Sequence, residues 1–161
     1  MLSEKLEKAI NDQIRAELYS SYLYMAMGAY AESLNLGGFA NWMMKQSQEE
    51  LEHAMKFWGY VHDRGGRVEL QAIDKPPVDF GGPLGMFQET LKHEQLVTSL
   101  INDLYALAVE EKDYASEIFL QWFVTEQVEE EKSAQDVIDV LESVGDKGHA
   151  LFMLDRHLAS R

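Results

Sequence analysis

Gln48-Glu49-Glu50-Leu51-Glu52-His53-Ala54 places a carboxylate and an imidazole three positions apart, at Glu50 and His53, in a stretch without glycine or proline. This motif is half of a repeat, because Glu17 lies 33 positions before Glu50. The second half has the same two intervals, 77 positions further along the chain, at Glu94, Gln127 and Glu130. The repeat predicts a two-metal site formed by two similar pairs of helices.

Composition restricts the classes of protein that the chain can belong to. Its 161 residues, 46% of them hydrophobic, predict one domain over residues 1–161 with a core of its own. The formal charge of −14 disfavours nucleic acid as a partner and favours cations. Because the chain has no cysteine, any metal site has to use oxygen and nitrogen ligands.

Membrane and export signals are missing from the sequence pattern. No segment is apolar over the roughly 18 residues that a membrane span needs. The segment Met1–Glu7 is acidic and has no apolar run of signal-peptide length. We therefore expect a cytoplasmic protein with no membrane partner.

Glycine and proline are concentrated in one segment. All three prolines and five of the eleven glycines lie between residues 65 and 85. The stretches on either side predict an all-α fold with four long helices and a short fifth one, over residues 3–34, 37–64, 84–111, 114–144 and 147–158. Ser3 and Asp113 suit helix starts, and Gly65 and Gly145 suit helix ends.

The connections between the predicted helices differ in length. Short links at Gly37-Gly38 and Lys112-Asp113 predict antiparallel helix pairs. The segment Gly66–Pro83 can extend to about 59 Å at about 3.3 Å per residue, whereas a helix of about 28 residues is roughly 42 Å long. We therefore predict a four-helix bundle over residues 1–144 with one long crossover between the second and third helices.

The polar residues of the repeat interrupt the apolar stripes of these helices. Glu17 follows Ile14 on one helix face, and Glu50 with His53 precedes Phe57 on another. No lysine or arginine occupies the stripes. Because buried carboxylates cost several kcal/mol each unless they are protonated, paired or bound to metal, metal is the leading explanation.

The ligand types narrow the choice of metal. Two divalent cations would neutralise the four carboxylates of the repeat, which are Glu17, Glu50, Glu94 and Glu130. Carboxylates combined with imidazole suit iron, manganese or zinc, and disfavour magnesium and calcium. The ligand types alone leave the choice among the first three open.

Three segments resemble signature stretches of the non-haem ferritins of bacteria and archaea: Asn11–Tyr24, Gln48–Ala54 and Trp122–Glu131. The resemblance covers nearly the whole chain and implies a ferritin-like fold. It implies oxidation of Fe²⁺ by O₂ or H₂O₂ at a di-iron ferroxidase centre. It also implies storage of ferric mineral inside a homo-oligomeric shell of 24 subunits.

The resemblance also implies roles for particular residues. It assigns two iron positions, one held by Glu17, Glu50 and His53, and one by Glu50, Glu94 and Glu130 with Gln127 beside them. It assigns a third iron position near the inner surface, which uses Glu49, Glu126 and Glu129 and shares Glu130. Tyr24 resembles a family tyrosine that forms a hydrogen bond or donates an electron, and core packing is the alternative role.

Two departures from the haem-carrying bacterioferritins refine the resemblance. Leu51 stands where those proteins have methionine, so no haem is expected. Gln127 and Glu130 replace their second Glu-x-x-His motif. A neutral carboxamide should hold the second iron less firmly than a carboxylate, which suggests a site that passes its iron onward.

Two other functions remain open at this level. A rubrerythrin-like di-iron oxidase or peroxidase without storage would share the site, although the chain lacks a cysteine-rich segment. A non-enzymatic helical binding module would leave four core-facing carboxylates unexplained.

Outside the repeat, His93 is expected at a surface or interface, and the apolar helix over 147–158 is expected to dock against other subunits.

Overall fold

The computed structural model describes residues 1–145 and 147–161, so Asp146 of the predicted domain lies outside the described residues. These residues form five α-helices and no strand: α1 Glu4–Ser33, α2 Gly37–Asp63, α3 Gly82–Glu110, α4 Tyr114–Val144 and α5 Gly148–Leu158. Within those ranges, no helix combines the length and apolarity needed to span a bilayer. The all-α prediction is confirmed.

The helix ends use the residues that the sequence indicated. Ser3 Oγ accepts from the Leu6 amide at 3.1 Å, and Asp113 Oδ1 accepts from the Ser116 amide at 3.0 Å. Gly145 closes α4 with a φ of +81°. The third helix begins at Gly82 instead of residue 84, because the fixed φ of a proline fits the first helical turn.

The core consists of two apolar clusters. The Phe57 cluster contains Leu6, Ile10, Ile14, Phe57, Val61, Val97, Ile101, Leu104, Ala108, Leu120 and Phe123. The Phe87 cluster contains Leu23, Tyr24, Met27, Phe39, Met43, Met86, Phe87, Ile138, Leu141, Leu154 and Leu158, with neighbouring side chains. Every long helix contributes to both clusters, so each helix crosses from one end of the core to the other.

The order of the clusters along each helix gives the direction in which it runs. α1 and α4 begin in the Phe57 cluster and end in the Phe87 cluster, whereas α2 and α3 run the opposite way. Because α2 and α3 are parallel, residues 64–81 must travel the length of the bundle. The predicted long crossover is confirmed.

Hydrogen bonds fix the crossover along α1. Near its beginning, Asn11 donates to the Arg67 carbonyl at 3.0 Å and accepts from the Glu69 amide at 2.7 Å. Near its end, the Tyr30 hydroxyl accepts from the Gly82 amide at 2.7 Å. These contacts lie at opposite ends of α1, so the connection follows this helix closely and is not a free loop.

The fifth helix packs on its own subunit. Leu154 and Leu158 join the Phe87 cluster, while Phe152 and Met153 stay about half exposed. Asp155 Oδ1 accepts from the Gly38 and Phe39 amides at 2.8 and 3.0 Å. The start of α2 has no side-chain cap of its own, so α5 supplies one.

Gly38 is required for this contact, because a Cβ atom built there would lie 1.6 Å from the Asp155 carbonyl oxygen. We expect Gly38→Ala to lower the free energy of unfolding by about 2 to 4 kcal/mol through overpacking and loss of the cap. Hydrogen exchange of the α5 amides should become faster. Gly37→Ala is the matched control, since a Cβ there meets nothing within 4 Å. Equal stability of the two variants would contradict this account of α5 docking.

Candidate metal centre

A band of polar side chains separates the two apolar clusters. On each long helix, the repeat residues lie between the stretches that enter the Phe57 and Phe87 clusters. All six are buried and come from the four long helices: Glu17, Glu50, His53, Glu94, Gln127 and Glu130. Glu17, Glu50 and Glu94 are each only 1% exposed. The sequence repeat thus converges on one buried site in the middle of the bundle.

Two groups of potential ligands share one carboxylate. Glu17, Glu50 and His53 form the first group, and Glu50, Glu94 and Glu130 form the second. Within each group, one potential ligand atom per residue lies within 4.8 Å of the others. Because Glu50 belongs to both groups, it can bridge two cations, which is the arrangement that the resemblance implies.

Glutamines and a tyrosine orient these carboxylates. Gln13 Nε2 donates to Glu17 Oε1 at 2.8 Å, and Gln46 Nε2 donates to Glu50 Oε1 at 3.2 Å. The Tyr24 hydroxyl donates to Glu94 Oε1. Fixed partners of this kind hold ligands in place before a metal arrives.

The carboxamide of Gln127 faces Glu94. Its Nε2 lies 3.1 Å from Glu94 Oε2, 3.2 Å from the Glu94 carbonyl oxygen and 3.3 Å from Thr98 Oγ1. The residue that departs from the bacterioferritin motif therefore supports a ligand of the second group through its amide.

The site carries an excess of buried negative charge. Burial raises the pKa of Glu17 well above its ordinary value, and the Glu50 carboxylate raises it further. Burial also raises the pKa of Glu50, followed by the effects of Glu94 and Glu130. Burial, and then Glu94, raise the pKa of Glu130 to about 7. Neighbouring carboxylates thus add to the cost of ionising Glu17, Glu50 and Glu130, and a bound cation would reverse that effect.

The donor set fits divalent iron. Glu17 Oε2 is buried and has no hydrogen-bond partner among the described residues. An ionised oxygen left in this state is costly unless a cation coordinates it. Carboxylates with one imidazole and no sulfur match the ligand preference of iron, manganese and zinc.

The residues assigned to a third position are only partly brought together. Glu126 offers an oxygen within 4.8 Å of ligand atoms on His53 and Glu130. Glu49 instead pairs with Arg161, with 2.6 Å between Oε2 and Nη2. Glu129 is exposed and belongs to none of the metal-ligand groups in the part of the chain that the structure describes. The third position remains a prediction.

Sequence reasoning missed three residues around the site. Gln13 and Gln46 each lie four positions before a glutamate that they contact. This spacing places both side chains on one helix face, and it is the feature of the sequence from which the contacts could be predicted. His93, predicted at a surface or interface, is half-buried, and it is hydrogen-bonded to Ser20 at 2.7 Å with its ring edge-on to Tyr24. Burial lowers the pKa of His93 to about 4, so the ring is neutral at pH 7.

A four-helix bundle with carboxylates and histidine projecting into its core defines the class of helical di-metal carboxylate proteins. Residues 7–144 match the family model described as a ferritin-like domain. Over 161 residues, the chain is 45% identical to the bacterial non-haem ferritin of Bacteroides fragilis and 40% identical to that of Staphylococcus aureus. Both alignments cover all of this chain, and they cover 100% of the Bacteroides protein and 97% of the Staphylococcus protein. The chain belongs to the ferritin family.

Solved structures agree with this assignment. An open-pore ferritin from the hyperthermophilic archaeon Archaeoglobus fulgidus matches with a TM-score of 0.99 and 48% identity, over 100% of this chain and 99% of that one. A closed form of the Archaeoglobus ferritin, made by site-directed mutagenesis, matches with a TM-score of 0.98 and 48% identity. This match covers 100% of this chain and 98% of that one. The predicted ferritin-like bundle with a short fifth helix is confirmed.

The raised pKa of Glu130 predicts how the metal-free protein responds to pH. In the folded protein this carboxyl stays protonated up to a pH of about 7, whereas its ordinary pKa is 4.5. Its stabilising contribution is complete below pH 4.5 and is lost as the pH rises through about 7. At pH 8, Glu130→Gln should therefore raise the free energy of unfolding of the metal-free protein by about 3 kcal/mol.

Urea denaturation of the metal-free protein at pH 4 and pH 8 measures this difference. We expect the gain to disappear at pH 4. Glu142→Gln, at an exposed position of α4, is the control and should change stability by less than about 0.5 kcal/mol at either pH. A gain for Glu130→Gln that is equal at both pH values would contradict the electrostatic explanation.

Proposed function

We propose that this protein is a ferroxidase that oxidises Fe²⁺ at its buried centre and stores the ferric product in an oligomeric shell. The observation that carries the proposal is the pair of ligand groups joined by Glu50. Membership of the ferritin family supports iron storage as the biological role.

Charge explains why two ferrous ions would enter the centre together. One Fe²⁺ leaves the four ionised carboxylates with two uncompensated negative charges, and a second brings the total to zero. Glu17 and His53 would hold the first ion, Glu94 and Glu130 the second, and Glu50 both. Binding also releases protons, because the raised pKa values keep part of these carboxyl groups protonated beforehand.

The paired arrangement suits a two-electron oxidation. Each Fe²⁺ gives up one electron, so two ions supply the two electrons that reduce O₂ to H₂O₂ or H₂O₂ to water. Tyr24 lies beside the second group, with its hydroxyl donating to Glu94. It would hold this ligand in place, and through this contact the phenol could also supply a further electron.

Oxidation would also change the charge balance of the centre. Two Fe³⁺ ions bring six positive charges to four carboxylates, which leaves a surplus of two that hydroxide from water would neutralise. The neutral amide of Gln127 contributes no charge to this balance. We propose that the centre releases this hydroxide-neutralised ferric iron toward a mineral store instead of keeping it as a fixed cofactor.

We propose a homo-oligomer of 24 subunits around the store. The exposed Phe152 and Met153 of α5 support contacts between subunits, since both are large apolar side chains that α5 leaves uncovered on its own subunit. The related Archaeoglobus ferritin has been described in open-pore and closed forms. Electron microscopy of the purified protein would determine the number of subunits and distinguish an open shell from a closed one.

Aerobic addition of Fe²⁺ to the purified protein tests the function. We expect saturable oxidation and far more than two iron atoms retained per subunit in a large particle. Oxidation with only about two irons retained would favour a rubrerythrin-like oxidase without storage.

Glu50→Gln, which alters the shared ligand, should slow oxidation by at least about 100-fold. Glu52→Gln is the control, because Glu52 is exposed and two positions away.

Gln127→Glu tests whether the iron is in transit. The added carboxylate should retain Fe³⁺ and slow its release from the centre by about 10-fold, while Fe²⁺ still binds. Stopped-flow absorbance after a single addition of two Fe²⁺ per subunit, followed by a second addition, measures how quickly the centre regains activity. Gln121→Glu adds the same charge at an exposed position of α4 and should behave like the unmodified protein. Equally fast recovery in the Gln127→Glu variant would contradict this part of the proposal.

A further inference from the structure

Arg161, which follows α5, is fixed against the outer part of the metal centre. Its guanidinium donates to Glu49 Oε2 at 2.6 Å, to Gln46 Oε1 at 2.9 Å and to the Trp42 carbonyl oxygen at 3.2 Å. It also lies 4.4 Å from the centre of the Trp42 ring. The side chain is 26% exposed, and these contacts together define its position.

Gln46 connects this guanidinium to the metal ligands. The side chain is 1% exposed, and its Nε2 donates to Glu130 Oε2 at 2.6 Å and to Glu50 Oε1 at 3.2 Å. A carboxamide has its acceptor on one side and its donors on the other. Because Arg161 occupies the Oε1 side, the donors of Gln46 are directed at the two carboxylates.

We propose that Arg161 is a positioning residue of the metal centre. By fixing the orientation of Gln46, it holds Glu130 and one oxygen of Glu50 in the geometry that the second cation needs. This inference rests on the proposed two-metal function, and it adds a residue that contacts none of the potential ligands of the first two positions directly.

Removing Arg161 should affect the two metal positions differently. Without a donor on its Oε1 side, the Gln46 amide loses the contact that fixes it, and its hydrogen bonds to Glu130 and Glu50 should weaken. The first position has its own support, because Gln13 holds Glu17 and the other oxygen of Glu50 lies 3.2 Å from His53 Nδ1. The second position should therefore weaken while the first is nearly unchanged.

The ion pair between Arg161 and Glu49 connects the contact of Arg161 with Gln46 to the predicted third cation position. A cation that binds Glu49 competes with the guanidinium, since one carboxylate oxygen already accepts from Arg161 at 2.6 Å. Displacing Arg161 would release Gln46 and so loosen the second position.

Co²⁺ binding to the metal-free protein tests the proposal without any oxidation step. The first position includes the His53 nitrogen, so its visible absorption should differ from that of the all-oxygen second position. We expect the unmodified protein to bind two Co²⁺ per subunit. In Arg161→Gln, the second dissociation constant should rise about 10-fold and its absorption bands should shift, while the first changes by less than about twofold.

Two further variants complete the experiment. Glu49→Gln removes the anion that anchors the guanidinium, and it should weaken the second position in the same direction but less. It leaves residues 147–161 unaltered, so it decides the outcome if Arg161→Gln does not fold. Arg156→Gln is the control, because Arg156 is on α5 and its guanidinium lies 5.8 Å from the Phe152 ring, away from the centre.

The outcomes separate this inference from the proposed function. If the unmodified protein binds no pair of Co²⁺ ions, the two-metal function fails and the inference fails with it. If the pair binds normally, but Arg161→Gln and Glu49→Gln leave both affinities and the spectrum unchanged, only the role of Arg161 is overturned. Equal weakening of both positions would also overturn it, since that result indicates general loosening.

Discussion

Four carboxylates buried in the middle of a helical bundle determine what the surrounding helices and hydrogen bonds have to stabilise. Glu17, Glu50, Glu94 and Glu130 are between 1% and 6% exposed, and neighbouring carboxylates add to the cost of ionising Glu17, Glu50 and Glu130. Hydrophobic burial cannot stabilise such a group, and replacement by apolar residues would give a better core. Cation binding at this site, as proposed, would offset the cost of burying these groups.

The surrounding structure holds the polar band in place. Two apolar clusters above and below it supply the hydrophobic stabilisation, and the four long helices pass through both. The parallel run of α2 and α3 requires a long connection, which Asn11 and Tyr30 attach to α1. Rigid elements on every side allow a carboxylate to keep its position even when no cation offsets its charge.

Helix positions and buried carboxylates could be predicted from the sequence because both follow from periodicity. A glutamate at the spacing of an apolar stripe has to face the core if the helix packs at all, and the 77-residue repeat showed that four helices do this at one level. The helix ends followed from Ser3, Asp113 and Gly145, whose side chains or backbone freedom act locally.

Contacts between distant parts of the chain could not be predicted in this way. Nothing in the local pattern around Asp155 indicates that it caps α2, or that Arg161 reaches Gln46, because those contacts depend on where α5 docks. The half-buried state of His93 likewise depends on Ser20 and Tyr24 from another helix. Periodicity identifies which face of a helix is buried, but not which residue it meets there.

We expect two cations to bind at one buried site and to share Glu50. Crystals of the purified protein exposed to Fe²⁺ without oxygen, with anomalous scattering measured at the iron edge, would show the metal positions. Two peaks per subunit are expected, one beside Glu17 and His53 and one beside Glu94 and Glu130, both in contact with Glu50. A single peak, or iron bound only at surface carboxylates while the buried band stays metal-free, would contradict this expectation.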